Sequence, residues 1–265
     1  MKHISIFILT LLTCFKTHAT QIPFKLPPEL MTKYGVIAPL CFNRFTELSD
    51  KKDSINLKTD SCIQYHQTYN RYALENGFIG YNIDTDQPGM KLPYIFYRYI
   101  GKLTRNGKPE YVFLISWSGG GTGSFTELLT MTLDNDILKS SKTIASGDRC
   151  NGGIIDALVK NNLILYKTNM TPQSLYEVNN KNVEVNQQAL LPDCAVCCIG
   201  SFHYADYKLI GIQFNGLLLD TTVNEKKLAC FNQLAIKYGA KMKSLLTVKQ
   251  IMQLQSDIDA NCFKK

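Results

Sequence analysis

YIFYRYIGKLTRNGKPEYVFLIS, residues 94–116, places two runs of aromatic and β-branched residues on either side of Asn106-Gly107. Asn-Gly readily adopts the positive φ angles of a type I′ turn, whose twist matches that of a two-residue β-hairpin. The alternating runs have the composition of half-buried strands. The stretch therefore predicts two long antiparallel strands joined by a tight turn.

Four further stretches repeat this pattern of strand, polar turn and strand. Their turns are predicted at 134–136, Asn161-Asn162, Asn179-Asn180 and Asn215-Gly216. Consecutive strands joined by tight turns run in opposite directions, and no stretch of helical period is evident between residues 94 and 220. We expect a mainly β (α+β) fold with an antiparallel β meander or sandwich-like domain. The absence of alternating helices argues against a doubly wound α/β fold.

The end of the chain changes to a helical period. Leu228, Phe231, Ala235 and Tyr238 recur at helical spacing before Gly239, which predicts a helix over 225–238. A second helix is expected from Thr247, where Thr247 and Gln250 have the spacing of a capping box. Two antiparallel helices would bring Cys230 and Cys262 together, so we predict a disulfide-linked helical hairpin at the C-terminus.

The first residues have the layout of a secretory signal. Lys2 precedes an apolar run over 4–12, and small residues around 17–19 predict cleavage after Ala19. Acylation of Cys14 is a less favoured alternative, because Leu12-Thr13 departs from the small-residue requirement of lipoproteins. We expect a signal peptide over 1–19, an irregular segment over 20–75 packed on the main domain, the β domain over 76–222 and the helical hairpin over 223–265. No later apolar run is long enough for a membrane span, so a periplasmic or secreted protein is expected.

Composition argues against nucleic acid as a partner. The full chain has a net charge of +7, and removal of residues 1–19 leaves +5. The basic residues are scattered, and their small clusters near the C-terminus lack the interleaved aromatic residues typical of strand-tracking grooves. A solvated helix face explains these clusters more simply.

Eight cysteines remain after the predicted cleavage, and an even number in an exported chain favours four disulfides. We predict the pairs Cys41–Cys62 and Cys230–Cys262. The remaining four are Cys150, Cys194, Cys197 and Cys198, which leave all three pairings open. The favoured arrangement joins Cys150 to one cysteine of DCAVCCIG, residues 193–200.

Two alternatives to structural disulfides exist for these four cysteines. A thiolate zinc site normally uses two close pairs, whereas Cys150 is solitary, so no metal is expected. Cys194-Ala195-Val196-Cys197 is a C-x-x-C motif, yet a redox-active cysteine of the thioredoxin type begins a helix after a strand, and hairpins are predicted here instead. Thiol-disulfide chemistry at Cys194 and Cys197 stays a third hypothesis.

SWSGGGTGSF, residues 116–125, is the second unusual stretch. It lacks the terminal Gly-Lys-Ser/Thr of a phosphate-binding loop, so the sequence favours a long hairpin tip. The functional alternative is a binding loop in which Trp117, Ser118, Thr122 and Ser124 contact a partner. The turns around 146–149 and 151–153 are expected beside this loop if alternate turns of the meander gather at one end.

Catalytic candidates are few. After the predicted cleavage the histidines are His66 and His203, and His203 is followed by Asp206. No nucleophile elbow and no H-E-x-x-H motif occurs. The favoured function is an exported, disulfide-stabilised binding, inhibitor or immunity-type protein that recognises a protein, peptide or glycan and uses no cofactor. An exported hydrolase using His203 and Asp206 is the second hypothesis.

Overall fold

The computed structural model describes residues 25–46, 54–60, 62, 77–82, 93–180, 191–217, 225–240 and 245–263. Two antiparallel sheets form the body of the protein. The strands of the first sheet are β1 (Ser54–Asn56), β2 (Ile79–Asn82), β3 (Tyr94–Arg105), β4 (Lys108–Ser118), β5 (Phe125–Asp134) and β6 (Ile137–Asp148). Their order in the sheet is β1-β6-β5-β4-β3-β2.

The predicted hairpin at Asn106-Gly107 is confirmed. Arg105 pairs with Lys108, and both turn residues have positive φ angles, 51° at Asn106 and 73° at Gly107. The β5–β6 turn at Asn135-Asp136 also has positive φ at both residues. The twist of such turns matches that of the flanking strands, which explains why these local signals determine the register.

An N-terminal segment covers one face of the first sheet. It contains 3-10 helices at Pro28–Leu30 and Pro39–Phe45. The buried Phe42 ring stacks on Tyr97 with 4.1 Å between ring centroids, and the Tyr97 hydroxyl donates a 2.7 Å hydrogen bond to the carbonyl oxygen of Ile37. A disulfide between Cys41 and Cys62 closes a loop of this region. These contacts give the first sheet a hydrophobic core of its own.

The strands of the second sheet are β7 (Ile154–Lys160), β8 (Leu163–Met170), β9 (Gly200–Ala205), β10 (Lys208–Phe214) and β11 (Leu245–Leu246). Their order in the sheet is β11-β10-β9-β8-β7. The predicted β7–β8 turn at Asn161-Asn162 is confirmed, with positive φ at both residues. The hairpin between β9 and β10, which turns at Asp206-Tyr207, was not predicted from the sequence.

The two sheets pack against each other at β7 and β8. Strand β4 shows the arrangement: Tyr111, Phe113 and Ile115 belong to the core under the N-terminal segment, whereas Val112 and Leu114 belong to the core between the sheets. Alternate residues of a strand point to opposite faces, so both faces of β4 are buried. Ion pairs Arg98–Asp156, at 2.6 Å, and Arg105–Asp206, at 2.7 Å, link the sheets.

Three α-helices are described: α1 (Pro172–Glu177), α2 (Glu225–Lys237) and α3 (Val248–Cys262). The predicted C-terminal hairpin is confirmed, because α2 and α3 pack together and a disulfide joins Cys230 to Cys262. The expected capping box at Thr247 and Gln250 begins α3. Both helices bury their apolar faces against β9 and β10, and so they form a third core.

Helix α1 corrects one prediction. The hairpin expected around Asn179-Asn180 is wrong, because its first strand, at residues 175–177, is helical. The Thr171 hydroxyl accepts from the Ser174 amide at 3.1 Å, and the Ser174 hydroxyl accepts from the Thr171 amide at 2.9 Å. This capping box and Pro172 at the first helical position are the sequence signals that indicate a helix here.

The hairpin predicted at Asn215-Gly216 is wrong in its partner for β10. Ile212 and Gln213 pair with Leu246 and Leu245 of the distant β11, which occupies the edge of β10. The residues at 218–220, where the partner strand was predicted, lie outside the described part of the chain. The edge of β10 is therefore filled by a long-range contact that a local turn signal does not encode.

Four disulfides are present among the described residues, and the pairs Cys41–Cys62 and Cys230–Cys262 are as predicted. The four cysteines left open form Cys150–Cys198 and Cys194–Cys197. Such bonds fit an oxidising compartment. The predicted signal peptide and its cleavage site after Ala19 lie outside the described residues. Within the described ranges, no helix is both long and apolar enough to cross a bilayer.

Candidate functional site

The glycine-rich stretch is a loop between antiparallel strands, with β4 ending at Ser118 and β5 beginning at Phe125. Trp117 is near the end of β4, next to this loop in the chain. Its ring stacks on Phe125 with 4.4 Å between centroids, and its side chain is only 6% exposed. The structure gives Trp117 a packing role, and contact with a partner through this residue stays a prediction.

The three hydroxyl side chains of the predicted site differ in exposure to solvent and in hydrogen bonding. Ser118 is buried, and its hydroxyl donates to the carbonyl oxygen of Gly123 at 2.6 Å and accepts from the Gly120 amide at 3.2 Å. The Ser124 hydroxyl is bonded to the Tyr94 hydroxyl at 2.6 Å. Thr122 is exposed. Ser118 and Ser124 therefore shape the loop from within, whereas Thr122 faces solvent at its tip.

The end of β6 and the turn that follows it lie directly beside this loop, as expected, but residues 146–148, predicted as a turn, belong to strand β6. The Ser124 amide donates to Asp148 Oδ1 at 3.1 Å, and the Arg149 amide donates to the Ser124 carbonyl oxygen at 3.2 Å. The guanidinium of Arg149 hydrogen-bonds to the Asp148 carboxylate and lowers its pKa, with a smaller contribution from the Ser124 amide. The close approach of this turn to the end of β6 requires Gly147, because a Cβ there would lie 2.3 Å from the carbonyl carbon of Gly152.

The disulfide cluster forms a third loop at the same end. The Cys150–Cys198 bond joins it to the turn after β6 across 48 residues of sequence. Cys194–Cys197 closes a tight turn whose Val196 is 78% exposed. We name residues 119–124, 146–153 and 193–198 together the braced loop end.

The C-x-x-C motif lies in a setting unlike a thioredoxin-type redox centre. Cys194 is half-buried in a turn, in which the Cys197 amide donates to the Cys194 carbonyl oxygen at 2.9 Å. A low thiol pKa in such centres depends on a helix N-terminus or a nearby cation. The N-terminus of α1 lies close by, but its described hydrogen bonds go to the residues before Cys194: the Thr171 hydroxyl donates to the Asp193 carboxylate at 2.8 Å and the Gln173 amide donates to the Pro192 carbonyl oxygen at 3.3 Å. The geometry therefore favours a structural role for this bond.

His203 and Asp206 are not brought together. The Asp206 carboxylate, at the β9–β10 turn, accepts from Arg105 at 2.7 Å and from the Ile164 amide at 3.0 Å. His203 Nε2 instead forms a 3.1 Å hydrogen bond with the hydroxyl of Ser201, a residue that the sequence analysis missed. Strand alternation was the available signal, since residues two apart in β9 share a face.

The environment of His203 favours the neutral form of its imidazole. Burial lowers the pKa of His203 below its ordinary value of 6.5, and the nearby Lys167 ammonium lowers it further. Ser201 is buried beside it. A neutral imidazole hydrogen-bonded to a serine hydroxyl can accept its proton, but Asp206, the carboxylate predicted to orient the imidazole, is bound to Arg105 and to the Ile164 amide instead.

This pKa shift predicts a pH dependence of stability. The unfolded chain binds a proton at His203 more readily than the folded protein, so the contribution of neutral His203 is full above about pH 6.5 and is lost as the pH falls through the folded pKa. We expect the free energy of unfolding to fall less between pH 7 and pH 5 in His203→Gln than in the native protein. Urea denaturation at both pH values tests this. Parallel losses in the two proteins would contradict it.

No group of three or more His, Cys, Asp or Glu side chains suited to hold a metal ion occurs within the described ranges. The chain was also compared with known proteins. No family model, no curated protein and no solved structure matches it. The fold and the sites described above define it at the level of class: a disulfide-bonded, mainly antiparallel β protein with a C-terminal helical hairpin.

Proposed function

We propose that this chain is an exported, disulfide-stabilised binding protein, of the inhibitor or immunity type, which recognises a protein, peptide or glycan through the braced loop end. The observation that carries the proposal is the joining of three loops by Cys150–Cys198 and by the contacts of Ser124 with Asp148 and Arg149. Loops held in one conformation lose little entropy on binding, which favours affinity.

The exposed groups of this end support recognition rather than chemistry. Thr122 offers a hydroxyl at the loop tip, and Val196 offers an apolar side chain on the disulfide-closed turn. An apolar contact surrounded by polar backbone and hydroxyl groups is the usual composition of a loop-based binding surface. Ser118, Ser124 and Trp117 act in this proposal by holding the loop in shape.

Surface variants test this proposal. Thr122→Arg and Val196→Asp place bulk or charge on the braced loop end, and Lys108→Glu changes an exposed residue at the opposite end of β4. We expect mature protein immobilised on beads to capture a partner from periplasmic extract or culture medium, with a loss of roughly tenfold or more in both loop variants. Lys108→Glu should capture normally. Equal capture by all four proteins would remove the braced loop end from the binding surface.

A second candidate function rests on the hydrogen bond between Ser201 and His203. In this alternative an exported hydrolase uses Ser201 as the nucleophile and His203 as the base. Its test is hydrolysis of peptide, ester and glycan substrates by the native protein, Ser201→Ala and His203→Ala. Turnover that disappears in both folded variants would favour the hydrolase over the binding protein, whereas no turnover in the native protein would reject it.

A further inference from the structure

Part of one face of the second sheet has no covering element among the described residues, although Ser201 at one end of this face is buried. Register fixes which side chains share it: Leu158, Leu165, Ala205 and Lys208 form one row across four strands, and Asp156, Lys167, His203 and Gly211 form the next. Residues paired directly across antiparallel strands lie on the same face. We call the side chains of these rows, together with Lys160, Leu163 and Ile210, the outer face.

The outer face exposes large aliphatic side chains. Leu158, Leu163 and Ile210 are 45%, 42% and 44% exposed. A depression of about 170 Å³ lies at the centre of the face, where Leu158, Leu165, His203 and Ile210 are among the lining residues. Contiguous exposed apolar surface with a polar rim is typical of a protein interaction site.

The charge on this face is mainly positive. Lys160, Lys167 and Lys208 are all exposed, and register places each beside an aliphatic residue or His203. The acidic side chain of the face, Asp156, is bound to Arg98 of the first sheet at 2.6 Å. An apolar surface surrounded by ammonium groups is complementary to a partner that combines apolar side chains with carboxylates.

We propose that the outer face docks an acidic, apolar segment of another protein. The depression receives one apolar side chain, and the three lysines pair with carboxylates that flank it. A second copy of this chain fits less well face to face, because the lysines of the two copies would then oppose each other. The proposal concerns a surface other than the braced loop end and does not depend on the function proposed for that end.

Defined peptides test the proposal. The probe is a fluorescein-labelled peptide of about 12 alternating Glu and Leu residues, compared with alternating Lys-Leu and Glu-Ser peptides of the same length. We expect fluorescence anisotropy to show binding of the Glu-Leu peptide roughly tenfold tighter than that of either control, and weaker binding as salt rises. No binding of the Glu-Leu peptide, or equal binding of the three peptides, would overturn the proposal.

Matched variants locate the binding. Lys167→Glu and Leu158→Ser change the outer face, whereas Lys139→Glu on β6 and Met252→Ser on α3 make the same kinds of change at other exposed positions. We expect about tenfold weaker binding in the first pair and native binding in the second, with thermal unfolding used to confirm that all four fold. Equal losses in both pairs would overturn the proposal. Co-sedimentation with phosphatidylserine-containing vesicles that depends on Lys167 would overturn it in favour of a membrane surface.

Discussion

Replacing both Cys150 and Cys198 with alanine is expected to lower the free energy of unfolding by about 4 kcal/mol. The bond links residues 48 apart in sequence, so it removes more conformational freedom from the unfolded chain than any other disulfide described here. Urea denaturation under non-reducing conditions measures the loss. We expect a lower midpoint of unfolding in the variant.

The matched control for this variant is the double alanine replacement of Cys194 and Cys197. Their bond spans three residues of sequence at the same end of the molecule, so the same entropy argument gives a loss of about 2 kcal/mol. The two variants together separate the effect of loop length from the general effect of removing two sulfur atoms. A larger loss from the C-x-x-C pair would show that local packing, rather than chain entropy, dominates this region.

Phe42→Ala is expected to destabilise the protein by about 3–5 kcal/mol. Phe42 is fully buried between the N-terminal segment and the first sheet, where its ring stacks on Tyr97 and lies 5.2 Å from the ring of Phe113. Removing the ring leaves a cavity that the rigid strands β3 and β4 can fill only partly. Urea denaturation of the folded variant measures this loss.

Phe45 provides the control within the same 3-10 helix. Its ring is half-buried and lies 6.1 Å from the ring of Phe42, at the edge of the same core. We expect Phe45→Ala to cost less than half as much as Phe42→Ala, because less apolar surface is lost from the interior. Equal losses would mean that the two rings contribute equally to docking of the N-terminal segment, contrary to their difference in burial.

Local signals predicted the hairpins correctly where two consecutive strands pair directly through a two-residue turn. The turns at Asn106-Gly107, Asn135-Asp136 and Asn161-Asn162 have positive φ at both central residues, a conformation that asparagine, aspartate and glycine tolerate. Asn215-Gly216 carried the same signal but predicted the wrong partner for β10. A turn motif describes four residues and does not indicate which distant strand pairs with a sheet edge, as Leu245 does with Gln213.

The candidate site was predicted only in part. The gathering of the glycine-rich loop with the turn after β6 followed from the antiparallel order of strands, and it is present in the contact of Ser124 with Arg149. The sequence left open whether Trp117 is buried. Both faces of β4 are buried, one by the N-terminal segment and the other by the second sheet, and the pattern of β4 alone does not reveal either cover. The partnership of Ser201 with His203 depends on strand register, and the outer face depends on which side of the second sheet the helices cover.

Local sequence patterns were sufficient to predict three β-hairpins, the C-terminal helical hairpin and two of the four disulfides described here. These features arise from contacts between neighbours in the chain, such as a turn, a capping box or two helices folded back on each other, and residue types encode such contacts directly. Tertiary structure alone decided the division into two sheets, the pairing of Cys150 with Cys198, the burial of Trp117 and the exposure of the outer face. Each of these depends on which distant surfaces bury one another, because hydrophobic burial depends on area and not on direction or sequence order.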